Sequence, residues 1–190
     1  MTEDLSGSRR MGQVGDEEGH LSYGGYLRIQ ELIDLQTLRS QPAAHDELLF
    51  IVVHQAFELW FREMIFELES IRDLMFAQDP HRARHLLQRV HTIERLLIEQ
   101  IEVLETMSPQ DFLEFRTNLA PASGFQSTQF REIEFLCGLK QRNFVGMAPA
   151  EERQRLERRL DEPTLWDGFR DLLERSGLPM PEDDADVRLT

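Results

Sequence analysis

Cysteine is almost absent from this chain, with Cys137 the only one in 190 residues. A single thiol cannot close an intrachain disulfide and excludes a cysteine-built structural zinc site, so Cys137 is expected to be a small buried side chain. Long apolar runs are missing too. No stretch reaches the roughly 18 residues that a bilayer crossing needs, and residues 1–20 lack the apolar centre of a signal peptide, which points to a soluble, cytoplasmic protein. Positive charge is also scarce. Lys plus Arg is 21 against 35 for Asp plus Glu, a formal charge of −14, and this opposes nonspecific attraction to nucleic acid or to an anionic membrane, so neither is an expected partner. Strand-like alternation of useful length is lacking, as is any internal repeat, while the length suits one domain with a sizeable core. The expected class is all-α.

Residues 1–20 are polar, charged and Gly- and Ser-bearing, a composition that cannot repay the entropy of ordering, and read as a disordered tail. Leu27, Ile29, Leu32, Ile33 and Leu35 predict a short helix over Tyr23–Leu38, which Pro42 and the following Ala-Ala-His-Asp break. From His45 to about Met75 there is neither Gly nor Pro. This long helix is apolar nearly all round in its first half and narrows to the stripe Ile65, Leu68, Ile71, Leu74, Met75, so it is expected to run from the core outward. Asp79-Pro80 opens a second long helix, antiparallel to the first and carrying Leu86 to Leu104 at helical period. Ser108-Pro109, with Asp111 in the first turn, opens a third that stops near Ala120-Pro121. After a small-residue loop, Ser127 caps a helix through Leu136, and helices follow over Glu151–Leu160 and Pro163–Arg175 with Gly177 as a stop. Residues 182–190 read as a second disordered tail.

The run Phe50 to Phe61, FIVVHQAFELWF, sets one histidine and one glutamate in an otherwise apolar segment. His54 and Glu58 share a helical face, and burying both costs free energy unless each finds a partner. Either this is a site, or His54 is a core histidine satisfied by a neighbouring carboxylate or carbonyl. Arg116, flanked by Phe112, Phe115 and Leu119, is oddly placed for a solvated charge. Its guanidinium fork suits the carboxylate of an amino acid or organic acid, and an ion pair to one of the many glutamates is the competing reading. Ala122-Ser123-Gly124 offers backbone N–H groups and a hydroxyl as a second anchor. His81 and His85 have metal-compatible spacing with His91 near, but Arg82, Arg84 and Arg89 among them oppose a cation, so a solvated helix face is expected. His45 and Asp46 belong to the start of the long helix. Tyr23 and Tyr26, the only tyrosines, flank Gly24-Gly25 and read as a staple onto the core.

Taken together, LSYGGYLRIQELI (Leu21–Ile33), HDELLFIVVHQAFELWFREM (His45–Met64) and FRTNLAPASGFQSTQFREIEFL (Phe115–Leu136) closely resemble the tryptophan 2,3-dioxygenase family. The resemblance covers residues 21–181, three blocks in the family's order. It implies an all-α haem dioxygenase fold on long antiparallel core helices, usually a homotetramer. It also implies haem b as cofactor and L-tryptophan and O2 as substrates, with the indole C2–C3 bond opened to N-formylkynurenine at the first step of the kynurenine route. By matching motif, His54 is the distal histidine near the indole N–H. Phe50, Ile51, Val52 and Val53 line the same pocket. Arg116 grips the substrate carboxylate, and Leu119, Ser123 and Gly124 complete the pocket. Phe112 stands where the family usually has tyrosine, which keeps the aromatic wall and loses a hydroxyl. Tyr23, Tyr26 and Leu27 match a segment that reaches into a neighbouring subunit's active site.

The proximal histidine that ligates the haem iron in the family, and a later Gly-Thr-Gly-Gly loop over the substrate, have no counterpart before Thr190. None of His20, His45, His81, His85 or His91 sits in a segment matching that ligand, so no metal ligand is assigned. The alternatives to the dioxygenase are a truncated non-catalytic helical oligomerisation module and a haem-dependent aromatic amino acid hydroxylase on the same fold.

Overall fold

A computed structural model describes residues 21–179. Among them every regular element is helical, and none of the helices is long and apolar enough to cross a membrane. Both expected tails, residues 1–20 and 182–190, lie outside the described residues. The chain divides into two compact units at residues 37 and 38.

The first unit holds two five-residue helices, α1 (Tyr23–Leu27) and α2 (Ile29–Ile33), instead of the single helix predicted. Arg28 between them has φ +51°, a left-handed conformation in which its N–H closes α1 and α2 starts afresh. Ser22 caps α1 by accepting from the Gly25 amide. Neither helix buries a residue, and Tyr23 and Tyr26 are 78% and 69% exposed. Among the described residues of this unit no apolar side chain is buried, so the tyrosines are not enclosed within it as a staple would be.

The second unit is organised by α3 (His45–Phe76) and α4 (Pro80–Glu105). Glu67 pairs with Arg89, and farther back along α3 the Val53 carbonyl accepts from Gln100, so the two helices run antiparallel. Met64, Ile65, Leu68 and Ile71 of α3 interlock with Ala83, Val90, Ile93 and Leu97 of α4 and with Leu136. Burial along α3 is thus the reverse of the expectation. The second half is the core, whereas Leu48, Val52 and Leu59 of the first half are exposed and His54 and Glu58 are only half-buried. An all-round apolar sequence shows that a surface can be covered but not which neighbours cover it.

The remaining helices pack around this pair: α5 (Pro109–Leu119), α6 (Thr128–Leu136), α7 (Asn143–Met147), α8 (Ala150–Asp161) and α9 (Leu165–Arg175). Asp79, Ser108, Ser127 and Thr164 each accept a hydrogen bond from a first-turn amide, and Ser108 with Asp111 forms a reciprocal capping box behind Pro109. The start of α9 falls two residues later than predicted, at the stronger cap. At Gly168 a Cβ would meet Arg72 O at 3.1 Å and Met75 Cβ at 3.3 Å, so glycine lets α9 lie close on α3. Phe135, Val145, Ala148 and Leu156 form a second small core joining α6, α7 and α8. Arg159, 5% exposed, binds Glu132 of α6, Glu69 of α3 and Glu162, and closes these layers electrostatically. Cys137 is exposed at the C-terminal cap of α6, so the expectation of a buried thiol fails: the residue ends a helix at the surface instead of facing its core.

Glu47, fully buried in the first turn of α3, clamps the segment leading into that helix. It accepts from the amides of Arg39 (2.7 Å) and Ser40 (2.9 Å) and from the Ser40 hydroxyl, while Ser40 Oγ accepts from the Ala44 amide at 2.8 Å. Burial alone would raise its pKa. The Ser40 hydroxyl and the two amides outweigh burial and hold the carboxyl below its ordinary value of 4.5. The stabilisation is therefore fully present above the unfolded value and is lost as pH falls through the depressed folded one. Glu47→Gln is expected to cost about 2–4 kcal/mol by leaving buried donors unmet, and to flatten the acid limb of stability against pH in urea unfolding series. An unchanged acid limb would contradict the clamp.

Candidate functional site

The expected site residues lie on α3, on α5 and on the loop after α5. Phe50 and His54 stand one turn apart on α3, with ring centroids 4.0 Å apart. His54 Nδ1 is 2.7 Å from the Phe50 carbonyl oxygen, which can only accept, so Nδ1 carries the hydrogen. In the neutral ring that leaves the lone pair on Nε2, which has no hydrogen-bond partner among the described residues. His54 is therefore satisfied by a carbonyl at one nitrogen, and the other is open among the described residues. Glu58 takes no part in this: its carboxylate accepts from Gln129 of α6 at 2.8 Å.

The ring of Phe50 continues into α5. It lies 5.9 Å from Phe112 and 5.6 Å from Phe115, and Phe112 meets Phe115 edge to face at 5.5 Å and 88°. Phe115 is wholly buried, so it forms the floor of the cluster, while Phe50 and Phe112 are only partly covered. The guanidinium of Arg116 lies 5.9 Å from the centre of the Phe112 ring. Arg116 is exposed and makes no ion pair with a carboxylate among the described residues, so the competing reading of a glutamate partner has no support in the geometry. The result is one continuous patch of imidazole, two aromatic walls and an unpaired guanidinium.

The other expected residues are placed less uniformly. Leu119, half-buried, ends α5. Ser123 and Gly124 are exposed in the loop, where a 3₁₀ turn (Gly124–Gln126) is held by Ser123: its Oγ accepts from the Phe125 amide, and its own amide donates to Gln126 Oε1. The Ser123 hydroxyl hydrogen stays available. Ile51 is half-buried, Val52 is 46% exposed and Val53 is buried in the core, so these three consecutive residues do not share one face. Tyr23, Tyr26 and Leu27 lie in the separate first unit. His81, His85 and His91 are exposed along α4, with His91 beside Glu94. A groove of about 820 Å³ between α3 and α4, lined by Leu59, Trp60, Glu63, Arg89, Arg95 and Leu96 among others, contains none of the expected site residues.

As a wall for the haem implied by the resemblance, the patch fits in its chemistry: flat apolar rings and one imidazole with an open Nε2. It supplies one face. No second histidine joins the cluster, and no group of three or more His, Cys, Asp or Glu is placed to hold a metal among the described residues. What sequence reasoning missed is Phe115 as the buried floor and Gln129 as the partner of Glu58. Both lie inside the third block of resemblance, but their contacts span tens of residues and leave no local signal.

A family model described as Tryptophan 2,3-dioxygenase matches residues 8–176. The chain is 52% identical over 181 residues to the tryptophan 2,3-dioxygenase of Nocardioides sp. (strain ATCC BAA-499 / JS614), covering 91% of this chain and 67% of that one. It is 46% identical to that of Herpetosiphon aurantiacus over 86% of this chain and 63% of the relative, and 41% identical to that of Serratia proteamaculans over 90% and 61%. The chain thus spans roughly two thirds of the length of these relatives.

Phe115→Ala is expected to lower stability by about 3–5 kcal/mol through lost burial and a residual cavity, and to broaden the NMR signals of the Phe50 and His54 rings, which lose their floor. A loss below about 1 kcal/mol would mean that α5 does not rest on this ring.

Proposed function

The chain belongs to the tryptophan 2,3-dioxygenase family, and on that premise we propose that it forms the substrate-orienting wall of a pocket in which O2 opens the indole of L-tryptophan. Both oxygen atoms enter the product, one at C2 and one at C3, and the bond between these carbons is broken to give N-formylkynurenine. The observation that carries the reading is the continuous patch from His54 through Phe50 and Phe112 to Arg116, whose guanidinium has no carboxylate partner of its own among the described residues.

On this reading each side chain has a defined task. Indole inserts beside Phe50 and Phe112, where apolar burial supplies affinity. His54 Nε2 accepts the indole N–H and fixes the ring's rotation, and the Phe50 carbonyl holds the imidazole in the required tautomer. Arg116 takes the α-carboxylate through its fork, helped by the Ser123 hydroxyl and the Gly124 amide, and Leu119 closes the apolar side. Of the three residues after Phe50, half-buried Ile51 continues the wall along α3, whereas Val52 is exposed and Val53 packs in the core. With Phe112 lacking the family's tyrosine hydroxyl, substrate orientation depends more heavily on His54 and Arg116.

Haem b, when bound, supplies the iron that activates O2. Phe50, His54 and Phe112 would face it across the substrate. We further propose a cytoplasmic homotetramer in which Tyr23, Tyr26 and Leu27 of one subunit contribute to a neighbour's pocket. Their high exposure supports this, since large aromatic and aliphatic side chains gain most when a second chain covers them.

Arg116→Leu is expected to weaken L-tryptophan binding by roughly 10- to 100-fold, the worth of one exposed charge-assisted contact, and to leave tryptamine, which lacks the carboxylate, within about twofold. Calorimetric titration of both ligands checks this. Parallel losses for the two, or no loss, would remove Arg116 from the carboxylate site.

A further inference from the structure

The loop from Ala120 to Ser127 carries Ser123 and Gly124 yet is held almost wholly by itself. Ala122 N donates to Leu119 O, Ser123 N to Gln126 Oε1, Phe125 N to Ser123 Oγ, and Phe130 N to Ser127 Oγ. Among the described residues no hydrogen bond from this loop reaches beyond 119–131. Such local closure fixes the shape of a loop but not its distance from anything else.

That distance is set one residue into α6. Gln129 Nε2 donates to Glu58 Oε2 and to the Glu58 backbone carbonyl, both at 2.8 Å. Two acceptors on one residue constrain rotation as well as separation. Glu58 is one helical turn beyond His54, about 6 Å along α3, so the bond ties the start of α6 to the same rigid segment that carries the imidazole. It also gives a half-buried carboxylate a hydrogen-bond donor.

We propose that Gln129, anchored on Glu58, is a positioning residue that sets the spacing between the Ser123-Gly124 loop and the His54 imidazole, and so selects for ligands bearing a carboxylate at that span from the indole nitrogen. This rests on the functional reading given above. Gln129 touches no ligand itself. Leu136 and Ile133 in the shared core, with the surface contact of Phe61 and Phe130, hold α6 on α3 without it, so its removal should loosen the loop while leaving the fold standing.

The test is amide hydrogen exchange of the full chain as wild type, Gln129→Ala, Glu58→Ala and Glu58→Gln, with titrations of L-tryptophan and tryptamine. In Gln129→Ala and Glu58→Ala, exchange at residues 122–127 should rise about tenfold while core amides of α3 and α4 stay unchanged, and the preference for L-tryptophan over tryptamine should fall by a similar factor. Glu58→Gln keeps an acceptor oxygen for Gln129 and should retain the wild-type pattern. Unchanged exchange in the loop, or equal weakening of both ligands, overturns the positioning role alone. A wild-type chain that binds L-tryptophan no more tightly than tryptamine overturns the carboxylate reading and the positioning role with it.

Discussion

The wholly buried ring of Phe115 lies against Phe50 and Phe112, and on this contact the arrangement of the site depends. α3 contributes the imidazole and α5 the guanidinium, and nothing in either helix alone brings the two near each other. Phe115 supplies the area that keeps α5 on the first half of α3, worth about 2–3 kcal/mol of burial before its edge-to-face contact is counted. With the floor fixed, Phe50 and Phe112 are left as partly covered walls, and Arg116 follows one turn after Phe112. A site of this kind needs an apolar floor that excludes water and a rim that keeps its polar atoms unspent, and the α3–α5 contact provides both.

The unequal packing of α3 explains how one helix can serve as core and as site. Its second half is enclosed by α4, α6 and α9, with Gly168 admitting α9 closely and the Arg159 network joining Glu69, Glu132 and Glu162 across three helices. Buried ion pairs cost desolvation and contribute little net stability, but Glu69 and Glu132 tie α8 to α3 and α6 through the one guanidinium. The first half of α3 is less enclosed and carries exposed Leu48, Val52 and Leu59 beside half-buried His54. Rigidity is therefore built at one end and the proposed site lies at the other, on the same uninterrupted backbone.

Local chemistry was legible in the sequence, and tertiary choice was not. Asp79-Pro80, Ser108-Pro109-Gln110-Asp111 and Ser127 announce helix starts because a cap acts within three residues of itself, and the structure places helices there. Gly177 with φ +67° ends the last helix for an equally local reason. The direction of burial along α3 was read backwards because apolarity on all sides of a segment does not name its neighbours. The break at Arg28 has no mark in the sequence, because arginine gives no sign of a left-handed conformation. Nothing in the sequence pattern marks the Glu47 clamp, since its partners at Arg39 and Ser40 lie in an irregular segment. For the site, the types of His54 and Arg116 were informative on chemistry alone, but their union came only from three blocks of resemblance. Glu58 shared a face with His54 in the sequence pattern, whereas its partner proved to be Gln129.

The most direct test of the account is a crystal structure of this chain with L-tryptophan bound. The predicted result has the indole nitrogen within hydrogen-bonding distance of His54 Nε2, the ring against Phe50 and Phe112, and the carboxylate on the Arg116 guanidinium. A ligand seated instead in the groove beside Leu59, Trp60 and Leu96, or lying with its carboxylate turned away from Arg116, would contradict it.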